Sequence, residues 1–153
     1  MQKKKTDAKN VIWLGIVSLL TDISSEMLFP IIPLFLTIVL KANMAVIGFI
    51  EGVAEGLSAF LKLIAGIVAD RWKNKKLLTI IGYGSSALSK PFLALATIWP
   101  HVLIVRVLDR IGKGIRTTPR DDLIAASVKD SERVKYFGLH RTMDSIGAVI
   151  GVL

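Results

Sequence analysis

The sequence predicts an all-α membrane protein: four complete transmembrane helices and the start of a fifth, packed as a bundle. Three observations lead there. The 153 residues are 52% hydrophobic, against about 45–50% in an ordinary soluble domain, and the mean hydropathy is +0.57. The apolar residues are gathered into long blocks, Val11–Leu40, Ala45–Ala69, Leu77–Trp99 and His101–Ala126, with a fifth beginning near Phe137. At 1.5 Å per helical residue, each of the first four can cross ~30 Å of hydrocarbon. Thirdly, the loop charge alternates. Lys3, Lys4, Lys5 and Lys9 precede the first block, Arg71, Lys73, Lys75 and Lys76 follow the second, and Lys129, Arg133 and Lys135 follow the fourth. The other two connections hold Lys41 and the neutral His101. Basic loops stay in the cytoplasm, so residues 1–10 form a cytoplasmic basic tail and the first helix runs outward from it. The expected location is the cell (inner) membrane, with the lipid bilayer as the chain's surroundings.

The first helix, 11–40, is too long for a cleavable signal and has no small-residue cleavage site. It carries "TDISSEM", with Asp22 and Glu26 four residues apart on one face. A carboxylate in hydrocarbon costs a few kcal/mol, so both acids need a wet cavity or a cationic partner. Pro30 and Pro33 each remove a backbone donor and bend or break the helix.

The second helix, 45–69, puts Glu51, Glu55, Ser58 and Lys62 on one stripe, while Gly48, Gly52 and Gly56 beside it form a ladder that lets another helix approach. The third, 77–99, holds Lys90 and Pro91. In the fourth, 101–126, Arg106, Asp109, Arg110, Lys113, Arg116, Arg120 and Asp121 share an arc of roughly 140°. Ile104, Leu108, Ile111 and Ile115 lie opposite, Asp122 falls off the arc, and Pro119 bends or breaks this helix too. The fifth span, 137–153, is incomplete, and Gly147 and Gly151 lie in it.

Within the blocks, Lys62, Lys90, Arg106, Arg110, Lys113, Arg116, Arg120 and Arg141 balance Asp22, Glu26, Glu51, Glu55, Asp109, Asp121, Asp122 and Asp144. Such a balance points to pairing inside a bundle or wet cavity. Other function classes are disfavoured. With no cysteine and two histidines, neither thiolate chemistry nor a metal centre is expected, and no cofactor. The net charge of +8 sits in topology-setting loops rather than on one aromatic-lined surface, so no nucleic acid is expected. No nucleophile–base pair marks an enzyme.

The residues also carry a resemblance. "GIVADRWKNKK" is similar to the loop signature of the major facilitator superfamily, with Gly66, Asp70, Arg71 and Lys75 matching, Lys73 in the place of its second glycine and Asn74 in that of a basic residue. "RVLDRIGKGIRTTPR" resembles the family's Arg-x-x-x-Gly-x-Gly helix through Arg106, Gly112 and Gly114, Arg110 standing for an early glycine. "FGLHRTMDSIGAVIGVL" is similar to the approach to the family's antiporter motif through Gly138, Gly147 and Gly151, with Val152 in place of the proline. "TDISSEM" and "GKGIRTTPRD" resemble segments of a bacterial and archaeal permease subgroup.

The resemblance implies that 11–153 is part of a six-helix half of a permease whose C-terminal half is missing. It implies secondary active transport of a small solute by alternating access around a central site, with proton-coupled efflux the expected mode. Asp70 would meet the N-terminal end of a helix in the other half, and with Gly66, Arg71 and Lys75 form a cytoplasmic latch. Helices 1 and 4 would line the cavity, so Asp22 and Glu26 would face Arg106 or Arg110. There they carry a coupled proton or serve as a static salt bridge; both readings stay open. The alternative for the whole chain is a truncated membrane protein with an interaction or regulatory role.

Overall fold

The computed structural model describes residues 6–71 and 74–153, with the backbone alone for 68–71. The described residues form helices joined by short turns, without a strand. Helix α1 (Ala8–Glu26) starts where the Asp7 carboxylate accepts from the Asn10 N–H at 3.4 Å, satisfying one of the donors a helix start leaves open. At Met27 the chain passes into α2 (Leu28–Leu34) and then a π-helical turn, Phe35–Val39. The stretch expected as one helix over 11–40 is therefore three helical pieces. Pro30 and Pro33 supply no N–H, and the ladder resettles to a wider turn beyond them.

Lys41, in the left-handed region at φ 54°, reverses the chain before α3 (Met44–Arg71). Asn43 caps α3, accepting from the Val46 N–H at 3.0 Å. Asn74 caps α4 (Lys75–Ser89) in the same way, through Leu77 at 3.1 Å. A 3-10 turn, Lys90–Leu95, follows, with Pro91 at its start, where a missing N–H is tolerated. Next come α5 (Trp99–Ser127), a short 3-10 turn, Asp130–Glu132, and α6 (Arg133–Val152). Pro119 lies inside α5, which continues through it; the break expected there does not occur.

The chain divides into two compact units. One comprises the N-terminal stretch to Leu28 with Arg120–Leu153, the other Phe29–Pro119. In the first, α1 and α6 are packed so closely that a Cβ on Gly15, Gly147 or Gly151 would overlap Met143, Leu19 or Ile23. These pairs step together by four residues, so α1 and α6 run parallel. The final turns of α5 run against α1: the Asp7 N–H donates to the Ser127 carbonyl at 2.8 Å, Arg120 reaches Ser18, and Val11 packs with Ile124 and Val128.

In the second unit, a Cβ on Gly112 would come 2.5 Å from the Gly82 carbonyl oxygen and 2.9 Å from the Ser86 nitrogen. Only glycine lets the α4 and α5 backbones approach this far. On another face of α5, Gly114 meets Ser58 and Leu61 of α3. The contacts Glu51–Arg106, Glu55–Arg110 and Leu61–Gly114 advance together, so α3 and α5 are parallel. Between α4 and α5 the order reverses, Ser86 meeting Asp109 and Gly82 meeting Arg116. Gly48, Gly52 and Gly56 differ from the expectation: a Cβ on any of them meets nothing within 4 Å. That ladder does not pack a helix among the described residues, because the stripe next to it, Glu51 to Leu61, is the one that faces α5.

Burial is inverted relative to a water-soluble protein. Arg106, Arg110, Arg116 and Arg120 are no more than 3% exposed. Ile104 and Leu108, opposite them on α5, are 56% and 41% exposed, and Trp13, Phe60 and Leu63 also point outward. Two segments, Ala8–Val39 and Met44–Ile67, are long and apolar enough by length and composition to cross a membrane.

Candidate functional site

The polar arc of α5 organises two charged clusters, one in each unit. In the unit Phe29–Pro119, Arg106 forms a two-pronged pair with Glu51: its Nε donates to Oε1 at 3.0 Å and its Nη2 to Oε2. One turn on, Arg110 Nε lies 2.8 Å from Glu55 Oε1, an ion pair without hydrogen-bond alignment. Glu55 is the more open partner, its side chain 56% exposed against 23% for Glu51, so solvent screens the second pair more. The Ser86 hydroxyl donates to Asp109 Oδ1, and Lys90 Nζ stands 4.0 Å from the same oxygen. Arg116 stacks over the Tyr83 ring at 4.4 Å from its centroid, a cation–π contact strengthened by desolvation. The buried Ser58 hydroxyl, Tyr83 hydroxyl and Arg106 Nη1 have no hydrogen-bond partner among the described residues. The cluster thus offers donors as well as satisfied charge.

In the other unit, Arg120 donates from Nε and Nη2 to Asp121 Oδ1 at 3.2 and 3.0 Å, and from Nη1 to the Ser18 hydroxyl at 2.9 Å. The same Nη1 lies 3.3 Å from Asp144 Oδ2. Arg141 joins Asp121 at 3.1 Å, and His140 Nδ1 faces Asp144 Oδ2 at 3.5 Å. Asp22 is buried on the Ser18–Ser25 face of α1, and Glu26, half-buried, ends that helix.

The expected site residues are thereby distributed. Glu51, Glu55, Arg106, Asp109, Arg110 and Arg116 come together in one unit, Arg120 and Asp121 in the other. Lys113 is half-buried on α5. Within their own unit, Arg106 and Arg110 pair with Glu51 and Glu55. Asp22, Glu26, Glu51 and Glu55 all sit on helical stripes, and the parallel register of α3 with α5 gives the α3 pair to these arginines. Of the latch residues, Gly66 lies in α3 and Lys75 in the first turn of α4. The side chains of Asp70 and Arg71 lie outside the described residues. Gly112, Gly114, Gly147 and Gly151 occupy close helix contacts.

Sequence reasoning did not single out Ser86, Lys90 and Tyr83 as site residues, nor Ser18, His140 and Asp144. The signal was there for His140 and Asp144, which have the same four-residue spacing as Asp22 and Glu26.

The fold and clusters define an all-helical protein with paired charges within and apolar side chains without. The chain belongs to the Major Facilitator Superfamily, whose family model matches residues 14–153, and is thus a member of an integral membrane family. It is 38% identical over 144 residues to an uncharacterised MFS-type transporter of Methanocaldococcus jannaschii, covering 94% of this chain and 36% of that protein. An uncharacterised protein of Mycobacterium tuberculosis is 33% identical over 91% of this chain and 34% of its own length. The multidrug resistance protein MdtH of Photorhabdus laumondii is 31% identical over 89% of this chain and 34% of its own length. The chain spans about a third of the length of these curated relatives.

Proposed function

We propose that this chain is the N-terminal part of a secondary active permease that moves a small solute across the cell (inner) membrane by alternating access. The observation that carries the reading is the burial of α5. Four arginines at most 3% exposed are tolerated in a membrane where they pair or line a wet cavity. Membership of the family supports the same reading.

Four complete spans and the start of a fifth then follow from pairing the apolar blocks with the helices, α1 with α2, α3, α4, α5 and α6. The parallel pairs α1 with α6 and α3 with α5, and the antiparallel pair α4 with α5, suit spans that alternate in direction. Positive loops favour a cytoplasmic N-terminus. Gly66, Asp70, Arg71 and Lys75, around the α3–α4 connection, act as the cytoplasmic latch, Asp70 meeting a helix N-terminus in the C-terminal half and so biasing which state is populated. Asp22 and Glu26 stay as cavity charges on the first span.

The mode is proton-coupled efflux of an amphiphilic solute. Its support is the density of intramembrane carboxylates and the likeness to a protein named for multidrug resistance. The test is flux of an amphiphilic fluorescent dye in vesicles containing the intact permease, with and without an imposed pH gradient. Gradient-driven, uphill dye movement is the expected result. Dye movement indifferent to the gradient removes the coupling, and none for any of a panel of small solutes removes the transport reading.

A further inference from the structure

Histidine is the side chain whose charge ordinarily changes between about pH 5 and 8, and one lies at the centre of the cluster between α1, α5 and α6. His140 is 1% exposed. Its Nδ1 faces Asp144 Oδ2 at 3.5 Å, while its buried Nε2 has no hydrogen-bond partner among the described residues. Asp144 Oδ1 is likewise buried without one. Asp144 Oδ2 meanwhile stands near three nitrogens, of Arg120 at 3.3 Å, His140 at 3.5 Å and Arg141 at 3.8 Å. All are longer than the roughly 2.7–2.9 Å of a tight charge-assisted bond. The oxygen is contested rather than committed.

The surrounding charges are defined on each helix. From α5 come Arg120 and Asp121, from α6 Arg141 and Asp144. α1 presents Ser18 to Arg120. Its acids lie further along, Asp22 between Leu19, beside Gly147, and Ile23, beside Gly151, and Glu26 also against Gly151. Tyr136, one turn before His140, packs on the apolar cluster of Val11, Ile124 and Val128. Among these four, Arg120 and Arg141 balance Asp121 and Asp144, so a proton on the ring adds one positive charge to the group.

We propose that His140 and Asp144 form a proton-binding site in which a proton taken up by the ring displaces Arg120 from Asp144. The Nε2 lone pair accepts a proton from water, forming an N–H bond and leaving the imidazole with a charge of +1. The ring then holds Asp144 Oδ2 through a charged Nδ1–H, and Arg120 falls back on Asp121 and Ser18. That loosens the tie between α5 and α6. The new Nε2–H has no acceptor among the described residues where the ring lies, and a buried donor without one is unfavourable. Protonation therefore favours an arrangement in which the ring reaches a new partner. This rests on the permease reading for its use, whereas the proton site itself is a property of these three helices.

The test is nuclear magnetic resonance of the protein in lipid nanodiscs, with labelled histidine and arginine side chains, titrated from about pH 4 to about pH 9 around the histidine range. His140 is assigned by its loss in His140→Gln. At the alkaline end the ring should be the Nδ1–H tautomer with a bare Nε2. Acidification should protonate Nε2 and shift the Arg120 guanidinium signal with the same midpoint. In Asp144→Asn the ring should still titrate while Arg120 stops responding. A ring that stays neutral throughout, or that titrates with Arg120 unmoved, overturns the proposal; the unsubstituted protein decides this, because His101→Gln, at an exposed position, identifies the His140 signal should His140→Gln fail to fold. Dye flux with no His140 titration would leave the permease reading intact and remove only the proton site. The converse would keep the site and remove the permease.

Discussion

Arg106 of α5 grips Glu51 of α3 through two nitrogens, with Nε at 3.0 Å from Oε1, and the arginine side chain is 2% exposed. Removing one partner of such a pair leaves a buried charge uncompensated, a loss of about 3–5 kcal/mol. Glu51→Gln should therefore lower thermal stability in detergent strongly. Adding Arg106→Gln should recover much of the loss, because the double variant buries two neutral amides. Additive losses in the double variant would show that the two side chains do not stabilise each other.

Glycine substitutions should separate close helix contacts from open ones. A Cβ on Gly112 meets backbone atoms of α4, so Gly112→Ala forces α4 and α5 apart, at roughly 1–3 kcal/mol for overpacking. Gly52 faces open space. There Gly52→Ala gains helix propensity and should be stabilising by up to about 1 kcal/mol. Melting temperatures in one detergent check both, and equal effects would contradict the packing described here.

Much of this architecture was legible in the sequence. Charged residues three and four apart betrayed the arc of α5, and Asp7, Asn43 and Asn74 stand at helix starts as short polar caps should. What periodicity could not supply was register. Asp22, Glu26, Glu51 and Glu55 all look alike as stripe acids, and only the parallel alignment of α3 with α5 assigns the last two to Arg106 and Arg110. The Gly48–Gly52–Gly56 ladder shows the same limit, since spacing reveals a smooth face but not what lies against it, and among the described residues nothing does. Proline was ambiguous as well. Pro33 precedes a π turn, whereas α5 continues unbroken through Pro119. Two histidines alone point to no metal site, and the role proposed for His140 comes from Asp144 and Arg120, which only the packing of α5 and α6 brings together.

Membrane orientation has its own test. Asn43 and Asn74 cap helices, so cysteines are better placed beside them, as Ala45→Cys and Lys76→Cys, both at exposed positions. With a cytoplasmic N-terminus the first should label from outside in intact cells and the second only after the membrane is opened. Labelling of both from outside would contradict the orientation.

For the proposed latch, Asp70→Asn in the intact permease should reduce dye flux several-fold while leaving the amount of membrane-inserted protein largely unchanged, since a latch would act on state populations rather than on folding. Unchanged flux at normal expression would reduce the loop to a topology signal.

The central claim is that the charged face of α5 borders a watery path while its apolar face meets lipid. Single cysteines at Lys113 and Thr117, on or beside the arc, and at Ile104 and Leu108 opposite it, can be exposed to a membrane-impermeant, water-soluble thiol reagent in vesicles. Labelling at Lys113 and Thr117 with none at Ile104 and Leu108 is the predicted result. Ready labelling at Ile104 and Leu108, the outward apolar positions, would mean that water rather than lipid surrounds the bundle, and would contradict the account.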